Sequence, residues 1–376
     1  MKILHVTADP KWTGPAEPML NLVVGLRARG HGADLVCPAP PDNLEPGLLT
    51  RARERGVDPV ALLRNARGVR LLRDRGEVRR LRELIRAGGY DVVHTHHTRD
   101  HLLCWRALRG EAARLVLSWH DGDPIPTQPW SRLRLGPRGA TGLVVLAPRL
   151  REHACRALGW PEPRVAVVPG AVDVERFKPR APSQRLREEF GIAPEERVIG
   201  MVARLQTHRR VELLLEAFGQ ARRRAPGLRL VVVGRGTRAR EVLHEPLSRL
   251  GLEKSVVAAG YRAHDYLEVL SLFDALCFLV PGSDGSCRAL LEAMSMGIPA
   301  ITSERGILPD TVRDRETGRV LREDPDLLAS TFEELWCEPT RWQSYGKAAR
   351  DHVLRSHTLA QAAERLERFY TQLLSS

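Results

Sequence analysis

The chain of 376 residues has no apolar run that reaches the roughly 20 residues required to span a bilayer. Its longest candidate, residues 269–280, is interrupted by Ser271 and Asp274, and we expect the end of a helix followed by a buried strand there. The first residues predict a strand rather than the charged and apolar regions of a signal peptide. These absences favour a soluble protein over an integral membrane protein, and the length suits two domains.

Cysteines are few and scattered: the chain has six, they lie far apart, and no two form a CxxC pair. This pattern argues against a disulfide framework and a cysteine-based zinc site, and it favours a reducing, cytoplasmic location. Aromatic residues make up only 5% of the chain. Without a surface of stacking aromatics or a recognisable binding module, nucleic-acid binding is not expected.

Excess basic charge is confined to one half of the chain. Residues 1–180 carry 30 Lys and Arg against 19 Asp and Glu, a net charge of +11, whereas residues 181–376 carry 28 against 27. A basic first half attracts phosphates, acidic glycans or anionic lipid headgroups, which suggests peripheral association with the inner face of the plasma membrane. An arginine-rich proteome with a solvated surface explains the same charge equally well.

Short β patterns alternate with helical patterns along the whole chain. The predicted strands are residues 3–7, 34–37, 91–94, 115–119, 142–146 and 165–168 in the first half, and 198–203, 228–233, 256–259, 275–279 and 300–302 in the second. The helices predicted between them include 17–29, 70–87, 149–158, 211–225, 238–250, 266–273 and 288–296. Such alternation predicts an α/β fold with parallel, doubly wound sheets and crossover helices.

A passage rich in proline and charge, residues 177–183, separates the two halves and predicts a linker. We therefore expect two Rossmann-like domains, residues 1–176 and 177–356, with the ligand-binding ends of their strands facing one cleft. The last stretch, residues 359–374, predicts an amphipathic helix.

Residues 281–294 predict the end of a strand, a small glycine-containing loop and the start of a helix. Free backbone N–H groups and the positive end of a helix dipole make such a junction a phosphate site. Glu292 lies about one turn inside the helix, where its carboxylate could hold ribose hydroxyls while phosphates sit at the helix start. Taken alone, a glutamate on a helix is more often simply solvated.

Two arginines follow another predicted strand, residues 198–203. Arg204 comes directly after it, and Arg209 comes five residues later. Guanidinium groups at the carboxyl end of a strand could neutralise a leaving diphosphate. In a chain with so many arginines, a solvated surface position is the usual explanation for any one of them.

Two residues of the first half also lie where a ligand is expected. Gly14, in the loop after the first strand, would let the backbone approach a ligand closely. His120 follows the strand over 115–119 and points toward the expected cleft. As an isolated histidine, His120 is more often structural.

Other polar residues at strand ends are read as structural. His94 and His96 have no cysteine or carboxylate at ligand spacing, so no metal site is expected. Asp121 and Asp123 have the spacing that holds a divalent cation in some sugar transferases, but those enzymes have a one-domain architecture. Here both aspartates are predicted to shape the loop after His120.

The order and spacing of several short motifs resemble the retaining glycosyltransferases of family 4, which have the GT-B fold, and the resemblance runs almost end to end. The motifs are the first strand with its glycine loop (1–6 and 14–17), "RGH" (29–31), "DVVHxH" (91–96), the remnant of "NGVDxxxFxP" (170–179), "GxG" (234–236), and the E-x7-E segment (284–292) with the residues after it (293–299). Any single tripeptide would be a weak signal. The segment over 284–299 is the most specific.

This resemblance implies roles for the donor-binding residues of the second half. Glu292 would bind the donor ribose, and Asp284, at the first glutamate position, would contact the donor sugar. Arg204 and Arg209 would hold the diphosphate. The backbone around residues 286–288, which are Ser286, Cys287 and Arg288, would cradle phosphate.

The resemblance also implies roles for the first half and for the reaction. Gly14 would approach the diphosphate, His120 would lie near the transferred sugar, and a terminal helix, residues 357–376, would cross back to the first domain. The reaction would retain anomeric configuration and need neither a metal ion nor a cofactor, only a UDP- or GDP-linked donor. The acceptor would be a glycan or glycolipid of the cell envelope, such as a lipopolysaccharide core.

Several positions depart from the family pattern. Asp284 replaces a glutamate, Arg209 stands where lysine is usual, Ser286 and Cys287 replace Phe-Gly, and residues 170–171 replace Asn-Gly. Because the acidic and basic functions persist, we expect an active enzyme with a modified sugar pocket. The same departures leave open a non-catalytic protein that binds a nucleotide-sugar.

The identities of the sugar, the base and the acceptor stay open at the level of sequence. The pockets that select them are lined by loops, and residues such as Tyr261 and Arg262 could serve UDP or GDP alike.

Overall fold

The computed structural model describes residues 1–12, 14–39, 47–64, 74–282 and 285–375. The chain divides into two units by its internal contacts. The first unit comprises Met1–Ala171, Leu359–Ser376 and a short loop that includes Gly285 and Ser286; the second comprises Val172–Gly282 and Cys287–Thr358. Among the described residues, no helix is long and apolar enough to cross a membrane.

The first unit contains a seven-stranded sheet in which every pairing is parallel. Its strands are β1 (Lys2–Val6), β2 (Gly32–Pro38), β3 (Val60–Leu63), β4 (Val92–Thr95), β5 (Arg114–Ser118), β6 (Gly142–Val145) and β7 (Val165–Val167). They lie in the order β3-β2-β1-β4-β5-β6-β7. The order reverses direction between β1 and β4, and the carboxyl ends beside such a switch point are where doubly wound sheets bind ligands.

The helices of the first unit cross over between these strands. They are α1 (Ala16–Ala28), α2 (Leu48–Glu54), α3 (Arg75–Gly88), α4 (Thr98–Ala107), α5 (Pro129–Leu135) and α6 (Pro148–Leu158), together with α15 (Leu359–Ser375) from the end of the chain. Leu366 and Tyr370 of α15 are fully buried in the same core as Leu20 and Leu26 of α1. The terminal helix is therefore part of the first core rather than an appended tail.

The second unit repeats the plan with a six-stranded parallel sheet. Its strands are β8 (Arg197–Val202), β9 (Leu228–Val233), β10 (Val256–Gly260), β11 (Ala275–Phe278), β12 (Ala300–Ser303) and β13 (Gly318–Leu321), in the order β10-β9-β8-β11-β12-β13. The switch point lies between β8 and β11.

The helices of the second unit surround a core that includes Phe218, Phe332 and Trp342. They are α7 (Gln184–Glu189), α8 (Val211–Arg222), α9 (Glu245–Leu250), α10 (Tyr266–Leu270), α11 (Arg288–Ser295), α12 (Leu308–Thr311), α13 (Pro325–Cys337) and α14 (Pro339–Ser356). A π-helical stretch, Arg240–His244, precedes α9, so the helix predicted over 238–250 is not one continuous α-helix.

The predicted strands are confirmed with shifts of one or two residues at their ends, and two further strands were not predicted. Strands β3 and β13 lie at the edges of their sheets. Strand β3 is an apolar run of only four residues and is partly exposed, and so short a run does not distinguish a strand from a segment of helix. In the predicted helix over 70–87, residues 70–73 lie outside the described residues, and α3 begins at Arg75.

The passage over 177–183, predicted as a linker, is built into the second unit. The Phe177 carbonyl accepts a 2.6 Å hydrogen bond from Ser295 Oγ, and the Phe177 ring meets Tyr266 edge to face. Ser183 begins α7 as its N-cap, with its side chain accepting from Leu186 N. The passage predicted as a linker is therefore anchored to the second unit by its apolar and capping side chains.

Candidate functional site

The switch point of the second sheet brings together the segments that the sequence analysis singled out. Strand β8 leads into residues 203–209, and strand β11 leads into the loop before α11. Because β8 and β11 pair in parallel, their carboxyl ends lie at the same edge of the sheet. Arg204, Arg209 and Glu292 thus come from adjacent segments of one unit.

Arg209 is held in place by the loop after β11. It ends a short 3-10 turn, Thr207–Arg209, and its side chain is buried. One guanidinium nitrogen, Nη1, donates to the carbonyl oxygens of Val280 and Pro281 at 3.0 and 2.9 Å. The Nε atom of Arg209 is buried and has no hydrogen-bond partner among the described residues.

Arg209 and Arg204 are like charges that lie near one another. Burial, followed by the nearby charge of Arg204, lowers the pKa of Arg209 from its ordinary value. Among the described residues neither arginine takes part in an ion pair, although most arginines of this unit do. A buried cation beside a second cation is stabilised by an anion, so this edge of the sheet is suited to a phosphate.

The glycines after β9 keep the neighbouring loop close to Arg204. A Cβ atom on Gly234 would lie 1.9 Å from the Ala203 carbonyl oxygen, and one on Gly236 would lie 2.1 Å from the Leu205 oxygen. Gly234 also has a φ of 144°, a conformation that side-chain-bearing residues rarely adopt. The GxG motif therefore serves backbone packing at this edge.

Glu292 lies on α11 with its side chain buried. Tyr266 Oη donates to Glu292 Oε2 at 2.8 Å, and Arg288 Nε lies 3.7 Å from Oε1. Burial and the Glu292 carboxylate raise the pKa of Tyr266 well above its ordinary value, so the phenol keeps its proton and donates. The result is a fixed carboxylate one turn from the start of a helix, suited to hydroxyl donors.

Residues 286–288 form the approach to α11. Ser286 and Cys287 are buried, and Arg288 is exposed as the first residue of the helix. Cys287 is the N-cap in the left-handed conformation, with φ 53°. Its side chain does not cap the helix, so the positive end of α11 is not covered by this residue. Asp284, predicted to contact a donor sugar, lies outside the described residues.

Gly14 and His120 belong to the first unit. Gly14 has a φ of 61° just before α1, and the left-handed conformation explains the choice of glycine at this turn. His120 is half-buried, two residues after β5, and lines a cavity of about 30 Å³ with Trp119, Gly170 and Ser286. Asp121 Oδ1 accepts from Asp123 N at 3.2 Å, so these two residues do shape the loop after His120, as predicted.

His120 is the end of a set of buried imidazoles that the sequence analysis did not connect. His5, His94 and His96 are fully buried, and His96 Nδ1 lies 2.9 Å from His120 Nε2. The ligand-capable atoms of His5, His94 and His96 lie within 4.8 Å of one another. His5 was missed because it sits inside the first strand, where a polar residue in an apolar run carries no local signal.

Two doubly wound parallel sheets, with arginines and a helix start at the switch point of the second, are typical of the α/β proteins that bind phosphate-bearing ligands. Family comparisons identify the chain further. The family model described as glycosyl transferases group 1 matches residues 182–352, and that described as glycosyltransferase family 4 matches residues 14–176. The chain therefore belongs to the group 1, family 4 glycosyltransferases, and its two sheets match the GT-B fold predicted from the sequence.

Individual relatives agree with this assignment. A GDP-mannose-dependent alpha-(1-6)-phosphatidylinositol monomannoside mannosyltransferase of Mycolicibacterium smegmatis is 28% identical over 66% of this chain and 67% of its own. A UDP-Gal:alpha-D-GlcNAc-diphosphoundecaprenol alpha-1,3-galactosyltransferase of Escherichia coli is 25% identical over 81% and 79%. The crystal structure of Anabaena HepE with UDP and glucose superposes with a TM-score of 0.80 at 19% identity, covering 99% of each chain, and shows the shared fold.

Proposed function

We propose that this glycosyltransferase moves a hexose from a UDP- or GDP-linked donor to a glycan or lipid acceptor of the cell envelope, with retention of configuration. The observation that carries the proposal is the pair Arg204 and Arg209, which has no ion-pair partner among the described residues, in the same unit as the fixed carboxylate of Glu292. Together these groups complement a nucleoside diphosphate, which presents anionic phosphates and ribose hydroxyls.

The proposed mechanism assigns the developing negative charge to fixed cations. When the bond from the sugar to the diphosphate breaks, charge accumulates on the leaving phosphate. Arg204, Arg209 and the positive end of α11 would stabilise that charge in the transition state, and the proposal therefore requires no metal ion. In the first unit, Gly14 is proposed to approach the diphosphate and His120 the transferred sugar.

The binding roles near α11 follow the same logic. Glu292 would accept hydrogen bonds from the ribose hydroxyls, while the backbone of Ser286, Cys287 and Arg288 would cradle phosphate. Asp284 stays a proposed contact of the donor sugar.

The names of the relatives support an acceptor close to a membrane. One relative is named for phosphatidylinositol monomannoside and the other for a diphosphoundecaprenol-linked sugar, and both names describe phosphate-linked lipids. The net charge of +11 over residues 1–180 would favour such anionic acceptors and a peripheral position at the inner face of the plasma membrane. Because the relatives differ in the nucleotide they name, UDP and GDP donors are both proposed.

A release assay tests the donor site. Purified enzyme is incubated with UDP- and GDP-linked hexoses and a lipid-linked acceptor, and free nucleoside diphosphate is measured. Replacing Glu292 with Gln removes a charged acceptor of ribose hydrogen bonds worth about 1.5–3 kcal/mol, so kcat/KM should fall roughly tenfold to over a hundredfold. The control is Glu333→Gln, which alters a glutamate paired with Arg224 on the same unit and should leave release unchanged.

The outcomes separate the proposals. Undiminished release by Glu292→Gln would contradict the assigned ribose contact. Thermal stabilisation by UDP or GDP without release in the presence of any acceptor would instead support a non-catalytic nucleotide-sugar-binding protein.

A further inference from the structure

Three imidazoles of the first unit form one hydrogen-bonded chain that ends at His120. His120 Nε2 lies 2.9 Å from His96 Nδ1, and His96 Nε2 lies 3.0 Å from His5 Nδ1. Successive rings are stacked with centroids 5.2 Å apart in both pairs. Both ring nitrogens of His96 are therefore used, one toward each neighbour.

The sheet explains why these residues meet. His5 lies in β1, His96 directly follows β4, and His120 follows β5. Strands β1, β4 and β5 are consecutive neighbours in the sheet, and His5 is in register with His94 on β4. The three rings thus stack across the carboxyl ends of three parallel strands, beside the switch point.

The surroundings of each of the three imidazole rings favour its neutral form. Burial lowers the pKa of His5 and of His120 to about 3, and it lowers the pKa of His96 well below the ordinary value. A neutral imidazole has one N–H donor and one acceptor nitrogen. Because His96 is hydrogen-bonded on both sides, it must accept from one neighbouring imidazole and donate to the other. The two hydrogen bonds among the three imidazoles therefore run in the same direction.

The direction of hydrogen-bond donation follows from the surroundings of His5, at the end of the imidazole chain opposite His120. His5 Nε2 is buried and has no hydrogen-bond partner among the described residues. A buried N–H without an acceptor is rarer than a buried acceptor without a donor, which favours the bare nitrogen at Nε2 and the proton at Nδ1 of His5. His5 Nδ1 then donates to His96 Nε2, and His96 Nδ1 donates to His120 Nε2.

We propose that His5 and His96 are positioning residues that hold His120 in the tautomer with its proton on Nδ1. His120 then offers an N–H donor at Nδ1, the ring nitrogen that does not take part in the hydrogen bond to His96. A hydrogen bond from this donor to a sugar oxygen rests on the proposed function. The assignment of the His120 tautomer is independent of that function.

The neighbouring His94 argues against a metal ion as the reason for the cluster. Its two ring nitrogens are already bonded, Nδ1 to the Tyr370 hydroxyl and Nε2 to Ser118 Oγ at 2.8 Å. A cation held by His5, His94 and His96 would have to break these bonds as well as the bond from His5 to His96. The hydrogen-bonded chain includes the bond from His5 to His96 and leaves both bonds of His94 intact.

Nuclear magnetic resonance reads the tautomer directly. Protein labelled with 15N in histidine is examined by long-range 1H–15N correlation, and the signals of His5, His96 and His120 are assigned by single His→Asn substitutions. The expected pattern in the unaltered protein is a protonated Nδ1 and an unprotonated Nε2 for all three rings. A protonated Nε2 on His120, or one equivalent of bound metal per chain by elemental analysis, would overturn the proposal.

The variant His5→Phe tests whether His5 controls the tautomer of His120. His5→Phe removes the first donor, so His96 and His120 should show signals averaged between tautomers, and kcat should fall about tenfold with KM little changed. The matched control is His153→Phe in the same unit, whose ring bonds the Ile125 carbonyl instead, and it should leave the His120 signals unchanged. If the unaltered protein shows the expected tautomers but transfers no sugar, the result would contradict the proposed function and leave the tautomer proposal intact. If His5→Phe does not fold, the spectrum of the unaltered protein still decides the tautomer.

Discussion

Glu292 is held in a defined environment before any ligand arrives. Its buried carboxylate receives one hydrogen bond from Tyr266 and lies 3.7 Å from the Arg288 guanidinium. A buried carboxylate is costly to leave without donors, so a residue in this position is either fully satisfied within the protein or ready to accept from a ligand. Tyr266 lies 26 residues away along the chain, and the sequence pattern marked it only as the start of a helix.

Removing the Tyr266 hydroxyl should weaken both the protein and its nucleotide site. In Tyr266→Phe the Glu292 carboxylate loses its phenol donor, which should lower the free energy of unfolding by about 1–3 kcal/mol. The dissociation constant for UDP or GDP should rise about tenfold, because the carboxylate is less well oriented. Urea denaturation and calorimetric titration measure the two effects.

A tyrosine of the same unit provides the comparison. The Tyr345 hydroxyl accepts from the exposed Arg341 rather than bonding to a buried carboxylate, so Tyr345→Phe should change neither quantity by much. Equal effects of the two substitutions would mean that Tyr266 has no special role at the site.

The strands could be predicted from the sequence because both faces of these parallel sheets are covered. A strand such as β9 is buried along nearly its whole length and is apolar at every position except Arg229. The edge strand β3 was too short to be told from a helix segment, and the edge strand β13 begins with glycine and arginine and lacks an apolar run. The return of α15 to the first unit was expected from the family resemblance alone, and no local pattern marked the close approach of Gly25 on α1 to Ala363 on α15.

The contact between α1 and α15 should not tolerate an added methyl group. A Cβ atom on Gly25 would lie 2.8 Å from Ala363 Cβ, which cannot move away as a long side chain could. Gly25→Ala should therefore lower the free energy of unfolding of the first unit by about 1–3 kcal/mol despite the better helix propensity of alanine. Hydrogen exchange resolved by segment can assign the loss to α1 and α15.

The second unit offers a matched substitution with the opposite expected sign. Gly219 lies inside α8, and a Cβ atom there would meet Leu252 Cδ1 at 3.6 Å, an ordinary contact. Gly219→Ala should stabilise the protein by about 0.5–1 kcal/mol. If Gly25→Ala were equally stabilising, α1 and α15 would not be packed as closely as the structure shows.

At the scale of the whole molecule, basic charge and buried histidines are concentrated in the first unit. The excess of Lys and Arg lies in residues 1–180, and His5, His94, His96 and His101 are all fully buried there. The assignment of acceptor binding to this unit and of donor binding to the second stays a prediction.

The buried histidines should make the first unit sensitive to mild acid. Burial lowers the pKa of His5 from 6.5 to about 3. Between these values the unfolded chain binds a proton that the folded chain does not, so stability is lost as the pH falls below about 6.5. Each such histidine contributes a slope of about 1.4 kcal/mol per pH unit to the free energy of unfolding.

Urea denaturation of the first unit at pH 6.5, 5.5 and 5.0 measures this slope. His5→Phe should reduce it by about 1.4 kcal/mol per pH unit. Burial raises the pKa of Asp100 to about 6, so Asp100 contributes a slope of the opposite sign. That contribution is the same in the unaltered protein and in His5→Phe, so it does not affect the comparison. Val6→Ala, also on β1, should lower stability at every pH without changing the slope. An unchanged slope in His5→Phe would show that His5 is not neutral in the folded protein.

The local pattern of the sequence determined the α/β class, the positions of most strands along the chain, and the segments that carry Arg204, Arg209 and Glu292. Buried parallel strands and helix starts have characteristic residues, so short windows of sequence are enough to find them. The contacts that complete the candidate site were decided only by the tertiary structure. Tyr266 meets Glu292, and His5 meets His96 across 91 residues, because strand order and helix packing bring distant segments together. Those pairings depend on the whole arrangement of each sheet, which no local spacing specifies.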